Sequence, residues 1–218
     1  MNQAVAVREK PLLRGVSHAA AAMAMLVVGP FVVLCAHSAR DEILTLVYVL
    51  AVEAMLTVSA LFHRVTWSPD ARRRMRRLDH SMIFVAIAGS YTATAGILLP
   101  GYDSTLVIAI AWSGAMAGVI LRLAWLDAPK WAVALPYLVL GWMALAFSPE
   151  MMHAMGGEAL GLVGLGGAFY TVGAVVYARK RPDPWPQTFG YHEIFHALVV
   201  GGAATHMCVV AFLVLPRR

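Results

Sequence analysis

Two imidazoles set one helical turn apart introduce the chemistry this chain can do. In His192-Glu193-Ile194-Phe195-His196 the histidines stand at i and i+4, on one helix face, where both rings can reach a single metal ion. The string is a literal match to HExxH, whose acid serves as general base in metalloproteases. Glu193, however, points about 100° around the helix from His192. A third imidazole ends another apolar segment. In Ser59-Ala60-Leu61-Phe62-His63, Ser59 and His63 again share a face. Asp79 follows a loop later at the head of the next apolar segment, with His80 beside it. Three histidines and a carboxylate from three helices could form a hydrolytic zinc centre, which takes three protein ligands and keeps a fourth position for water. The alternative is a set of interfacial polar residues pairing with lipid phosphate. That alternative handles any one of them well and the set poorly, because ionisable groups in membrane spans are costly and mark functional sites.

The elements that would carry these residues follow from composition. Of 218 residues, 60% are hydrophobic and only 13% charged, against about 45–50% and 25% in a soluble domain. Mean hydropathy is +0.70. So few polar residues cannot cover a water-soluble globule of this size, and intrinsic disorder is excluded by the same numbers. With two cysteines a disulfide scaffold is excluded too; Cys35 and Cys208 read as small buried hydrophobes. A spanning helix needs about 20 mostly apolar residues. Seven such stretches are expected, at 17–36, 43–63, 79–99, 104–124, 131–148, 157–178 and 190–214. They make an all-α integral membrane protein, a seven-transmembrane-helix bundle forming one domain over 1–218. The first span reads as a retained helix and not a cleaved signal peptide. Gly161, Gly164, Gly166, Gly167 and Gly173 are expected to bring helix backbones together.

Charge supplies the orientation. With the spans in place, 14 of the 17 Lys and Arg residues fall on the side of the N-terminal tail, which places the N-terminus in the cytoplasm and the C-terminus outside. The net charge of +5 is therefore a topology signal and not a nucleic-acid footprint. The arginines at 72–77, assigned to the loop after the second span, read as an anchor on anionic headgroups. On this topology His18, His63, Asp79, His80, His192 and His196 all lie near the inner surface. Glu53, mid-span, is expected to bond to Thr57 one turn on.

The stretches SALFHRV (59–65), RRLDHSMIFVAIAGSYT (76–92), LGW (140–142), GGAFYTVGAVVYARKRPDP (166–184) and FGYHEIFH (189–196) resemble the hemolysin III family, the bacterial branch of the progestin and adipoQ receptor group that includes the adiponectin receptors. They run in the expected order along nearly the whole chain. The resemblance implies seven helices with the N-terminus inside and a zinc ion near the cytoplasmic face, with His63, His192 and His196 as its ligands. Asp79 matches the carboxylate that contacts the zinc-bound water, and Ser59 a serine one turn before the first ligand. Receptor relatives have glutamine where Glu193 stands, so Asp79 is the better base. His18 and His80 receive no ligand role and fit contacts around the site.

The group is similar to alkaline ceramidases in this arrangement, which implies a zinc-dependent hydrolase of lipid amides acting in membrane lipid homeostasis. Its partners would be membrane lipids or fatty acids, its location the bacterial inner membrane. Two other readings stay open: a non-enzymatic membrane sensor or receptor with structural zinc, and a hemolysin-type cytolytic protein. A pore would need polar faces repeated along several helices, and these spans are apolar except near the inner surface. An intramembrane protease is disfavoured because the third ligand is a histidine from the second span.

Overall fold

The structure, a computed structural model, describes residues 10–99, 101–125, 127–145 and 148–217. Seven α-helices follow in chain order: α1 (Val16–Leu34), α2 (Ala39–Arg64), α3 (Pro69–Leu98), α4 (Gly101–Ala124), α5 (Lys130–Gly141), α6 (Ser148–Arg179) and α7 (Tyr191–Cys208). There is no strand among the described residues beyond a single bridge between Trp185 and Phe189. Six of the helices are long and apolar enough to cross a membrane. The outward faces agree: Met23, Val27, Phe31, Met116 and Ile120 are exposed on α1 and α4, as lipid-facing side chains would be. The chain is an integral membrane protein.

The expected span at 131–148 differs most. The structure ends α5 after 12 residues, followed by a 3-10 turn over Trp142–Leu145. Twelve helical residues rise only about 18 Å, short of the roughly 30 Å hydrocarbon core. Pro129 precedes this helix and Pro136 lies inside it, where it removes a backbone hydrogen bond. Part of that expected span, residues 146 and 147, lies outside the described residues.

The start of α3 is a second correction. Ser68 caps the helix, its Oγ accepting from the Ala71 amide at 3.4 Å, with Pro69 and Asp70 in the first turn. This is a strong helix-start signature, and it brings the arginines at 72–77 into the first turns of α3 and not into a loop. At its other end α7 runs on as a π-helical stretch over Val209–Val214, and α6 contains a non-helical Gly156 just before the expected span begins.

α3 is the most buried of the six apolar helices and touches α2, α4, α5 and α6. Close approach to α2 depends on Gly89, where a Cβ would meet the Ala51 Cβ at 2.6 Å. Of the five glycines expected at helix contacts, Gly166, Gly167 and Gly173 do face side chains, of His206, Trp142 and Phe195. Gly161 and Gly164 border open space instead. Cys35 and Cys208 are exposed, contrary to the expected burial, because in a lipid-facing protein apolar side chains belong outside as well as inside. Glu53 behaves as expected: Thr57 Oγ1 donates to its Oε1 at 2.6 Å.

Candidate metal centre

The helix ends alternate along the chain, so the start of α1, the end of α2, the first third of α3 and the start of α7 meet at one end of the bundle. α7 begins after Gly190, whose amide donates to Glu193 Oε2 at 2.8 Å. The Tyr191 amide donates to Asp183 Oδ1 at 3.0 Å. The other oxygen of Glu193 accepts from Arg14 Nε in a part-buried ion pair. Both carboxylate oxygens of the HExxH acid are therefore engaged in capping α7 and fastening it to the segment before α1.

One turn apart on α7, His192 and His196 turn toward His63 in the last turn of α2. The three rings offer nitrogen atoms that all lie within 4.8 Å of one another, with ring centroids 4.6–4.8 Å apart. His63 Nε2 and His192 Nε2 are separated by 3.3 Å. Two imidazole nitrogens bound 2.0–2.1 Å from a tetrahedral zinc stand about 3.3–3.4 Å apart. His196 is 2% exposed, and its Nδ1 has no hydrogen-bond partner among the described residues. A buried ring nitrogen without a partner is costly, and a metal ion held by these rings would offset part of the cost of burying them. The three histidines fit a metal ion.

Behind them His18, in the first turn of α1, stacks on His196 at 4.0 Å between centroids and 13° between planes. The segment before α1 lies across this end of the bundle. Amides of Leu12 and Leu13 donate to the carbonyls of Gln187 and Thr188 at 3.0 and 3.2 Å, and Arg64 Nη1 donates to the Leu12 carbonyl at 3.4 Å. Gly15 makes the turn into α1 at φ 77, and a Cβ there would meet His63 Cβ at 2.7 Å. Only glycine takes this conformation and this contact together. Lys10, at the edge of the same basic surface, is held below its ordinary pKa by partial burial and by Arg64, Arg72 and Arg14.

Asp79 (9% exposed) faces the Ser59 hydroxyl across the α2–α3 seam. Both border a cavity of about 50 Å³ together with His18, His80, His192 and His196. Its inner wall, made by Met55, Ile83, Tyr137, Phe195 and Val199, is also wall of a second cavity of about 390 Å³ that is almost wholly apolar. The five residues singled out in the sequence are thus brought to one place: His63, His192 and His196 as a cluster, Asp79 and Ser59 beside it.

Sequence reasoning missed the surroundings of His80. Arg122 is 2% exposed in the last turn of α4 and lies 3.2 Å from His80 Nδ1 through its Nη2. Tyr137 and Tyr177 also border the small cavity. Arg122 could have been suspected from its place inside an apolar segment; the tyrosines carry no signal that separates them from other aromatic residues in such helices.

Comparison with known proteins shows the family of the chain. The model of the family described as Haemolysin-III related matches residues 7–207. Hemolysin-3 of Bacillus cereus is 30% identical over 170 residues, covering 78% of this chain and 74% of the relative. The Hemolysin-3 homolog of Bacillus subtilis (strain 168) is 28% identical over 178 residues, 81% of this chain and 80% of the relative. A shorter stretch of 74 residues is 40% identical to the heptahelical transmembrane protein ADIPOR3 of Oryza sativa subsp. japonica, covering 32% of this chain and 16% of that protein.

Proposed function

Because the chain belongs to the haemolysin-III-related family, we propose that it is a zinc-dependent hydrolase of lipid amides, resident in the bacterial plasma membrane to which its Bacillus relatives point. The observation that carries this reading is that a three-histidine cluster, a carboxylate and a serine stand at a small cavity sharing its wall with an apolar cavity of about 390 Å³, within the size range of ligand pockets. His63, His192 and His196 would hold the ion. Bound there, zinc supplies Lewis acidity, polarising a carbonyl and making water a better acid.

The remaining work falls to the chain's own groups. The apolar cavity binds the acyl chain and excludes water from it. That leaves the amide at the polar chamber. Asp79 takes a proton from the attacking water as the carbon–oxygen bond forms, and returns it to the nitrogen as the carbon–nitrogen bond breaks. Ser59 orients the Asp79 carboxylate from one side. The products are a fatty acid and an amine. Purified protein should release fatty acid from long-chain lipid amides, and Asp79→Ala should abolish turnover while leaving most of the zinc in place. Turnover unchanged in Asp79→Ala, or absent from zinc-loaded wild type, defeats this reading.

A second reading, a sensor or receptor with structural zinc, has one observation in its favour. α2 and α7 are not among the closely packed helix pairs of the described residues, so an ion shared by His63, His192 and His196 would be their principal tie. On that reading zinc removal lowers thermal stability and no substrate is turned over.

The bundle is further proposed to cross the membrane seven times with its N-terminus in the cytoplasm. The distribution of Lys and Arg supports this direction, and the rice relative's name, heptahelical, supports the count. α5 with its 3-10 turn would supply the remaining crossing. Cysteines introduced at Asp70 and Tyr102 should be labelled by an impermeant maleimide from opposite faces of inner-membrane vesicles; labelling from the same face refutes the topology.

A further inference from the structure

The last-turn arginine of α4 is turned inward. Arg122 is 2% exposed, and a guanidinium buried in a spanning helix is costly enough to imply a task. Its Nη1 donates to the Trp125 carbonyl at 3.2 Å, and its Nη2 lies 3.2 Å from His80 Nδ1. A guanidinium carries only donors and keeps its charge in proteins. His80 Nδ1 must therefore accept, which leaves the ring proton on Nε2. The backbone of His80 is held as well, since Tyr137 donates its hydroxyl to the His80 carbonyl at 2.9 Å. His80 so oriented borders the small cavity with Asp79, Ser59, His192 and His196.

We propose that His80 is the hydrogen-bond donor for the carbonyl oxygen of a lipid amide in this chamber, and that Arg122 is the positioning residue that keeps it a donor by holding the ring in its Nε2–H form. The proposal rests on the hydrolase reading of the same chamber. When water attacks the amide carbon, the electron pair of the C=O bond moves onto oxygen, and a fixed N–H aimed at that oxygen stabilises the charge without reorganising. His80 keeps its proton throughout; the proton that moves is the water's, through Asp79 to the departing nitrogen. Asp79 and His80 are adjacent on α3, about 100° apart around the helix, so base and donor flank the reacting carbon from different directions.

The test uses full-length, zinc-loaded protein carrying ¹⁵N-labelled histidine in lipid nanodiscs, with His80 resonances assigned by their loss in His80→Gln. The wild type should show a bare Nδ1 and a protonated Nε2, and the Nε2 resonance should move on adding palmitamide but not hexadecane. Arg122→Met should lose both the tautomer preference and the response. A protonated Nδ1 in wild type, or an Nε2 resonance indifferent to palmitamide, overturns the proposal. These readouts need no turnover: a protein that shows them and cleaves no lipid amide keeps the binding role of the pair and refutes the hydrolase reading alone. Where turnover is measured, His80→Leu should lower kcat by about 10²–10³-fold, the range for removing one such donor, with KM little changed. His80→Gln, which restores an N–H donor, should recover part of the loss. Wild-type kcat in His80→Leu overturns the donor role.

Discussion

At the scale of single residues, the acid of HExxH is the sharpest case of a motif whose chemistry depends on its surroundings. Glu193 caps the Gly190 amide and pairs with Arg14, leaving it no free oxygen for a proton. Glu193→Gln should keep the cap on the Gly190 amide through its one carbonyl oxygen and lose the pairing with Arg14, so turnover should fall by less than about tenfold. A loss of 10²–10⁴-fold, the range for a general base, would restore Glu193 to that role. Gly15 makes a stricter demand. Gly15→Ala forces a left-handed conformation that costs an ordinary residue about 1–2 kcal/mol, and drives a methyl into His63 Cβ. The variant should show a lower Tm and release its zinc to a weaker chelator than wild type; unchanged release would show that the N-terminal segment does not hold the site. His192 and His196 were legible from their spacing alone, and His63 and Asp79 from the alternation of helix ends. Arg122 was legible only in part: its place inside an apolar segment marks it, but a basic residue at a helix end looks the same in sequence whether it turns toward lipid headgroups or toward a histidine.

Among the elements, α3 shows what hydropathy reads and what it overlooks. The apolar run begins near Asp79, but the helix begins ten residues earlier, where Ser68, Pro69 and Asp70 spell a start that no apolar window contains. The extension brings Arg76 to Asp127 at 2.6 Å, tying α3 to the segment after α4. Ser68→Ala should cost about 0.5–2 kcal/mol, read as a drop in Tm without loss of zinc. α5 was misjudged in length because its composition is apolar throughout, whereas the helix gives way to a 3-10 turn after Gly141, a change of backbone geometry that hydropathy ignores. The α2–α3 seam was invisible for another reason: Gly89 works by close approach to Ala51, and contact between distant segments leaves no local pattern. Gly89→Ala should overpack that seam at a cost of about 1–3 kcal/mol.

For the whole molecule, the decisive feature is that His18, His63, Asp79, His80, His192 and His196 gather at the basic end of the bundle, and that the polar chamber there shares its wall with the large apolar cavity. On the proposed reading, that separation would let one protein hold a hydrocarbon chain and a hydrolytic centre without either disturbing the other. It also joins α2 to α7 through side chains from both, so an ion bound to the folded state alone should stabilise the bundle by mass action, about 2.7 kcal/mol at a hundredfold excess over Kd. The central claim is that His63, His192 and His196 hold that ion, and metal analysis of purified protein tests it most directly. About one zinc per chain is expected in wild type, most of it retained in Asp79→Ala, and none in the His63→Ala/His192→Ala double variant. A wild type without metal, or a double variant with as much as wild type, would contradict it.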